Sequence, residues 1–337
     1  MERKLIFREE PIISDCSTNT SVSRIVFNIL SSQGEQLYDR SYYIKLSDLN
    51  RSNYMGDVEY EAQGYEVMNL FGMNTPDYKL VTHKGRAALA LTPIIGNNLH
   101  READIPTFEQ QVGDVLKQNF KMWTDSFTLI RSQPEVFQRF RRFCPVAEAI
   151  GTAEKISFYS RQLDLASSEK SPKSYTELVD KVVERLKVHA LAIARNDQMH
   201  FFQHGDEILS NFIFDPSKNN VAVIDPFPRI STRMEQALNK MLGGSMIFNF
   251  DINSDGKPVD QQRFSVLVSA INRYNTLIDD YYREVSPGQE SSLREILFIN
   301  LSRIYFGIYN KENADHIDLA NKSKYLKMAS DMYDLFS

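Results

Sequence analysis

The hydrophobic period changes partway along the chain, and that change limits the architecture more than any other feature. Over the first hundred of 337 residues, apolar positions fall in short β-branched and aromatic runs; beyond Leu99 they recur three and four apart. Short runs of that kind suit strands, and the three-and-four spacing suits amphipathic helices. Residues 24–29 and 37–46 are rich in Val, Ile, Phe and Tyr, with Ser31-Ser32-Gln33-Gly34-Glu35 between them as turn chemistry, so a β-hairpin is predicted. A helix is expected over residues 56–70, with Val58, Ala62, Tyr65 and Met68 on one face and Gly72 placed to stop it. Residues 78–82 and 87–92 read as two further strands, closing at Pro93 and Gly96. Helical stripes then cover residues 108–131, 146–163, 175–195, 261–283 and 291–309, interrupted by one β-rich stretch at 199–225. The expected fold class is α+β: a small β-rich lobe over residues 1–96 and a larger, mainly helical lobe over residues 97–337.

Composition excludes several functions without choosing one. Lys and Arg number 39 against 44 Asp and Glu, a formal charge of −5, so no general attraction to nucleic acid or anionic lipid is expected. No window approaches the roughly 18 unbroken apolar residues of a membrane span, so none is expected. The start, Met1-Glu2-Arg3-Lys4-Leu5-Ile6-Phe7, lacks the long apolar stretch of a secretion signal, and two cysteines, Cys16 and Cys144, make no disulfide framework. A reducing, cytoplasmic compartment is therefore expected, although export without a signal peptide is compatible with the same start. The 21 Phe and 16 Tyr against a single Trp favour an enclosed core with half-buried rings, or a ring-lined cleft.

Chemistry concentrates in the β-rich interruption. It reads His204-Gly205-Asp206, four residues, Asn211, an apolar strand, a turn, a second apolar strand and Asp225-Pro226. An acid, an amide five residues on, and an acid fourteen further on across a hairpin can converge on one edge of a cleft. This segment resembles the catalytic segment of the aminoglycoside-phosphotransferase-like branch of the protein-kinase superfamily. The resemblance implies a two-lobed protein-kinase-like fold that uses ATP and Mg2+. It also implies Asp206 as the base or orienting group for an acceptor hydroxyl, Asn211 and Asp225 as metal ligands, and His204 as a structural tie within the loop. Phosphoryl transfer explains the residue types, since the transferred group carries dense negative charge and the attacking oxygen must shed a proton.

The family also requires an upstream lysine and a helix glutamate. Tyr42-Tyr43-Ile44-Lys45-Leu46 ends a strand with a lysine among apolar neighbours, where its charge needs a partner. Lys45 is the candidate for holding the nucleotide's phosphates. Glu61, on the helix face of Tyr65 and Met68, is the candidate to pair with it; Glu59 and Glu66 compete for that role. Leu89-Ala90-Leu91-Thr92-Pro93-Ile94-Ile95-Gly96 resembles the strand and hinge joining the lobes, with Leu91 and Ile94 as nucleotide contacts. Asp15-Cys16-Ser17-Thr18-Asn19-Thr20-Ser21-Val22 stands where the family has its phosphate-covering loop, so Thr18, Asn19 and Thr20 are nucleotide candidates, although the usual glycines are absent.

Two local choices point to a branch. Gly205 stands where eukaryotic-type protein kinases usually have Arg, and Asp225-Pro226-Phe227-Pro228 replaces their flexible Phe-Gly. Both resemble the small-molecule kinases acting on aminoglycosides, choline and fructosamines. The expectation is therefore transfer of the ATP γ-phosphate to a hydroxyl-bearing small molecule, with a protein acceptor as the alternative, as in an atypical protein kinase or bacterial effector. The glycine-poor loop motivates a third reading, a catalytically inactive pseudokinase acting as an interaction module. Asp279, Asp280 and Glu284 read as a solvated helix face in preference to a pocket for a cationic acceptor. Asp251-Ile252-Asn253-Ser254-Asp255-Gly256 looks like the start of a calcium loop, but Pro258 and Gln262 break the pattern and a turn on Asp255-Gly256 is the better reading.

Overall fold

A computed structural model of the chain describes residues 4–11, 22–30, 36–46, 58–143, 180, 181, 184, 200–216, 218–305 and 323–336. It forms two compact units: Met1–Asn97 with Asn211–Pro228, and Asn98–Ser210 with Arg229–Ser337. The fold class is α+β, a β-rich unit and a mainly helical one. A single cut near residue 96 does not describe this division, because the hairpin at 211–228 packs with the first unit.

The first unit is built on a five-stranded antiparallel sheet of β1 (Lys4–Pro11), β2 (Val22–Leu30), β3 (Gln36–Leu46), β4 (Tyr78–His83) and β5 (Arg86–Leu91), in the order β1-β2-β3-β5-β4. The two expected N-terminal strands extend by one or two residues, and β1 is an additional edge strand whose charged sequence, with Lys4, Arg8, Glu9 and Glu10, suits an open edge. Side chains alternate across β3. Ile44 packs with Ile25 and Ala88 on one face, while Tyr43 belongs to the other face with Leu89 and Leu91. Helix α1 (Val58–Leu70) covers that second face through Val58, Ala62 and Tyr65. It ends where predicted: Gly72 takes φ 72° and the Gly72 and Met73 N–H groups return to the Asn69 and Met68 carbonyls at 3.0 Å each. This satisfies carbonyls that the helix end would otherwise leave bare.

The hairpin of β7 (Phe212–Asp215) and β8 (Asn220–Val223) is held to the chain just after α1. Val223 N–H donates to the Asn74 carbonyl at 2.8 Å, and Asn74 Nδ2 donates to Asn220 Oδ1 at 3.0 Å. Before Asn97, Gly96 lies so close to β7 that an added Cβ would sit 1.9 Å from the Phe214 carbonyl oxygen, so no larger residue fits there.

The second unit is organised by two long helices, α2 (Ile105–Ser132) and α6 (Gln261–Val285), close to the expected limits. Each starts at an aspartate whose carboxylate accepts an N–H of the first turn: Asp104 from Thr107 at 3.0 Å, Asp260 from Arg263 at 3.1 Å. Short strands β6 (Phe201–Gln203) and β9 (Arg229–Ser231) pair antiparallel. Phe201 and Phe202 are fully buried, against Phe127 and Phe140 respectively, and Phe202 N–H donates to Ser126 Oγ at 2.9 Å. Helices α3 (Pro134–Phe140), α4 (Glu235–Asn239), α5 (Ser245–Phe248), α7 (Leu293–Tyr305) and α8 (Ser323–Leu335) complete the described part. The helix expected over 146–163 lies outside the described residues, as does most of that over 175–195. Among the described residues no helix is long and apolar enough to cross a membrane.

Candidate functional site

The period-two alternation of β3 puts Lys45 on the same face as Tyr43, the face that α1 covers, with Leu89 as its cross-strand neighbour. A lysine there needs a partner, and it has two. Lys45 Nζ lies 2.6 Å from Glu61 Oε2 and 3.3 Å from Asp225 Oδ1. Three residues from separate parts of the sequence, one of them 180 positions from the lysine, therefore meet in the first unit. Of the three competing helix glutamates the structure gives Lys45 an ion pair with Glu61; Glu61 is buried, whereas Glu59 is exposed and Glu66 half-buried.

Burial opposes the charge on Lys45, but the Asp225 and Glu61 carboxylates outweigh it and hold the pKa above its ordinary value, so the amine stays protonated. For Glu61 the balance runs the other way. Burial, reinforced by the negative charge of Asp225, pushes it up to about 7 against the pull of Lys45. One cation serves two anions, and Glu61 Oε1 is buried without a hydrogen-bond partner among the described residues. Asp225 is the more open member, with its side chain 48 % exposed.

Asn211 and Asp225 are placed by hairpin register. Phe212 pairs with Val223, so Asn211 and Ile224 fall opposite one another, and the Ile224 N–H donates to the Asn211 carbonyl at 3.0 Å. The Asp that follows Ile224 is thereby fixed at the same hairpin end as the amide. A carboxylate and an amide oxygen are hard donors that fit a cation whose remaining ligands are water and phosphate oxygens. Among the described residues no group of three or more His, Cys, Asp and Glu side chains forms a closed metal site.

In the second unit the loop after β6 is bonded to itself. Asp206 N–H donates to His204 Nδ1 at 3.2 Å, Gly205 N–H to Glu207 Oε1 at 2.9 Å, and Ile208 N–H to the Asp206 carbonyl at 2.9 Å. His204 and Glu207 are fully buried. Gly205 has φ 83°, a left-handed conformation that a side chain there would strain. Farther along, Leu209 N–H donates to Ser245 Oγ at 3.0 Å, and Ile208 reaches Gly244, where an added Cβ would lie 2.6 Å from its methyl carbon. The helical run over 240–244 opens into a π turn at that place. The loop is thus held on both sides of Asp206.

Leu91 is buried in the α1-facing cluster and Ile94 is half-buried. Thr18, Asn19 and Thr20 lie outside the described residues. Sequence reasoning misses Gly64, Tyr60, Gln203 and Glu207. A glycine inside a helix is itself a signal, since it weakens the helix unless something needs the space; Glu207 has only its place beside Asp206 to mark it.

Asp279 Oδ1 accepts the Ser291 N–H at 2.6 Å, while Asp280 pairs with Arg283 at 2.7 Å on an exposed surface and Glu284 is exposed. Asn253 Oδ1 accepts the N–H groups of Asp255 at 2.9 Å and Lys257 at 3.0 Å, which makes this stretch a turn closed by its own backbone.

No protein-family model matches the chain, and no curated protein matches it in sequence. Among solved structures, it is similar to a spectinomycin phosphotransferase in complex with ADP and spectinomycin, at 13 % identity and a TM-score of 0.44 over 97 % of this chain and 92 % of that one. It is similar to an ethanolamine kinase of Plasmodium vivax, at 13 % identity and a TM-score of 0.48 over 97 % and 82 %. It is also similar to an aminoglycoside phosphotransferase of Streptomyces rimosus in complex with ADP and streptomycin, at 14 % identity and a TM-score of 0.45 over 87 % and 90 %.

Proposed function

We propose that this chain is an ATP-dependent phosphotransferase that moves the γ-phosphate to a hydroxyl of a small molecule. The observation that carries the reading is the meeting of Lys45, Glu61 and Asp225, because the resemblance asks for a lysine and two acids at these sequence positions and nothing local would otherwise draw them together. Lys45, kept protonated by its two partners, would hold the nucleotide's phosphates. Glu61 would keep the lysine from swinging away when no nucleotide is present. Asn211 and Asp225 would hold Mg2+, which when bound neutralises phosphate charge. Asp206 would accept the acceptor's hydroxyl proton or fix the oxygen in line, and His204, Gly205 and Glu207 would hold the Asp206 backbone still. Positioning of this kind supplies most of the rate in phosphoryl transfer.

The small-molecule acceptor is favoured by Gly205, which can read no phosphorylated loop, and by the stiff Pro226-Phe227-Pro228 run after Asp225. Labelled ATP, Mg2+ and a panel of aminoglycosides, amino alcohols, sugars and proteins test the proposal. The expected result is label in one small-molecule class, lost in Asp206→Ala. Label on proteins alone would make the chain a protein kinase. The absence of binding to ATP and GTP in Mg2+ and Mn2+, by thermal shift, would leave an interaction module.

A further inference from the structure

Four consecutive residues, Asp225-Pro226-Phe227-Pro228, are each touched by helix α1. The Asp225 N–H donates to the Tyr65 hydroxyl oxygen at 3.1 Å. Gly64 faces both prolines, so that an added Cβ would come within 2.9 Å of Pro226 Cγ and 2.9 Å of Pro228 Cδ. The Tyr60 ring lies 5.2 Å from that of Phe227, and the Tyr60 hydroxyl donates to the Pro228 carbonyl at 2.8 Å. Two prolines leave this run only two backbone donors. One of these, the Asp225 N–H, is committed to Tyr65.

Asp225 also needs such an anchor. Its φ is 50°, in the left-handed region, where a non-glycine residue persists only if its surroundings determine it. Tyr65 is fully buried and stacks on Tyr78, with ring centroids 5.4 Å apart, so its hydroxyl is held in place by the core.

We propose that Tyr65 is a positioning residue for the metal ligand Asp225, setting the direction of its carboxylate through the backbone, and that Gly64 provides the space in which this coupling forms. This rests on the phosphotransferase reading, in which Asp225 holds the cation. Tyr65 would then govern the metal-dependent part of nucleotide binding, and Lys45 the part that needs no metal.

Calorimetric titration of the full chain with ADP, in EDTA and in Mg2+, separates the two. Wild type is expected to bind ADP in both and more tightly with Mg2+. Tyr65→Phe is expected to keep the metal-free affinity within about twofold and to lose about tenfold of the gain from Mg2+, the effect of one deleted hydrogen bond to a partly buried N–H. An unchanged Mg2+ gain in Tyr65→Phe overturns the proposal, as does an equal loss with and without metal, which would mark general damage to the core. Should Tyr65→Phe fail to fold, Gly64→Ala pushes on the same segment through the prolines, and an unchanged gain there overturns the proposal equally. Wild type that binds no ADP in either buffer would remove the phosphotransferase reading itself; wild type that binds ADP without any Mg2+ gain would remove only the role of Asp225 and, with it, that of Tyr65.

Discussion

Glu61 and Glu235, both buried, each face a cation, and they are built in opposite ways. Glu235 in the second unit is saturated: Oε1 accepts from Arg233 Nε at 2.6 Å and from the Ser292 N–H at 3.2 Å and hydroxyl at 3.1 Å, and Oε2 accepts from the Tyr282 hydroxyl at 2.7 Å. Although burial works against it, Arg233 and these donors hold its pKa below the ordinary value. Glu61 in the first unit shares Lys45 with Asp225, has an oxygen without a hydrogen bond among the described residues, and is pushed up. A carboxylate of the first kind, with both oxygens hydrogen-bonded, stabilises a fold, even though Arg233 Nη1 beside it has no hydrogen-bond partner among the described residues. The second kind leaves charge in need of further partners, as the proposed binding of phosphate and a cation requires.

The largest expected effect is on the Glu235 network. Glu235→Ala would leave the Arg233 guanidinium, 3 % exposed, without its carboxylate, and should lower stability by about 3–5 kcal/mol in urea unfolding. A loss under about 1 kcal/mol would break the contrast. The pH dependence has a definite sign. Because the folded-state pKa of Glu235 is depressed from 4.5, its stabilisation is complete above about pH 5 and is lost as pH falls through the folded value. Wild type should therefore lose stability more steeply than Glu235→Gln in acid, and parallel curves would contradict that.

Next in size is Lys45→Met, where activity and stability should separate. With the amine gone, Glu61 can become neutral by taking up a proton, since burial already holds it near 7, and Asp225 remains half open to water. Stability should change by about 1 kcal/mol or less, while phosphate transfer falls by about 100-fold or more, as expected when a charged phosphate contact is lost from a protected site. A stability loss as large as that of Glu235→Ala would mean that Lys45 is a structural cation. The Arg233 network also reaches the loop that carries Asp206: Gln203 Nε2 donates to the Arg233 carbonyl at 2.8 Å, three residues before Asp206. Gln203→Leu should cost about 1 kcal/mol and reduce kcat with little change in KM; a pure KM effect would show that this tie does not bear on Asp206.

What can be read in the sequence is whatever depends on local spacing. Lys45 stands out because a charge in a β-branched and aromatic strand has few explanations, and Glu61 because it lies four residues before Tyr65 on one helix face. The helix limits at 261 and near 132 follow from apolar stripes. The attachment of residues 211–228 to the first unit is not legible, because it depends on Asn74 reaching Asn220, 146 positions away, and presenting a carbonyl to Val223. Strand β1 escapes a reading of the sequence because KLIFREEP has no alternation; it is a strand by virtue of the β2 backbone beside it, and Glu9 finds Lys84 at 2.8 Å on the β4–β5 turn. Tyr65 is recognisable as a core residue, but a hydroxyl aimed at one particular N–H leaves no trace in periodicity.

The smallest expected effect is none at all, and it guards the comparison from the other side. Residues 251–260 carry Asp251, Asp255 and Asp260, with Asn253 in a ligand-like position, and would count as a site if charge alone made one. Yet Asn253 Oδ1 is occupied by two backbone N–H groups, Asp260 caps α6, and Asp255 reaches toward Lys327 at 3.6 Å. Gly256 fits so tightly against the helix α8 backbone that an added Cβ would lie 2.5 Å from the Lys324 carbonyl oxygen, so the loop cannot re-form around an ion without leaving that helix. Calcium at millimolar concentration should therefore leave the melting temperature of the protein unchanged, whereas Asn253→Ala should lower stability by about 1 kcal/mol through loss of the turn. A calcium-dependent rise in melting temperature that Asn253→Ala abolishes would show that satisfied carboxylates and amides can still make a site, and the rule drawn from Glu235 and Glu61 would fail.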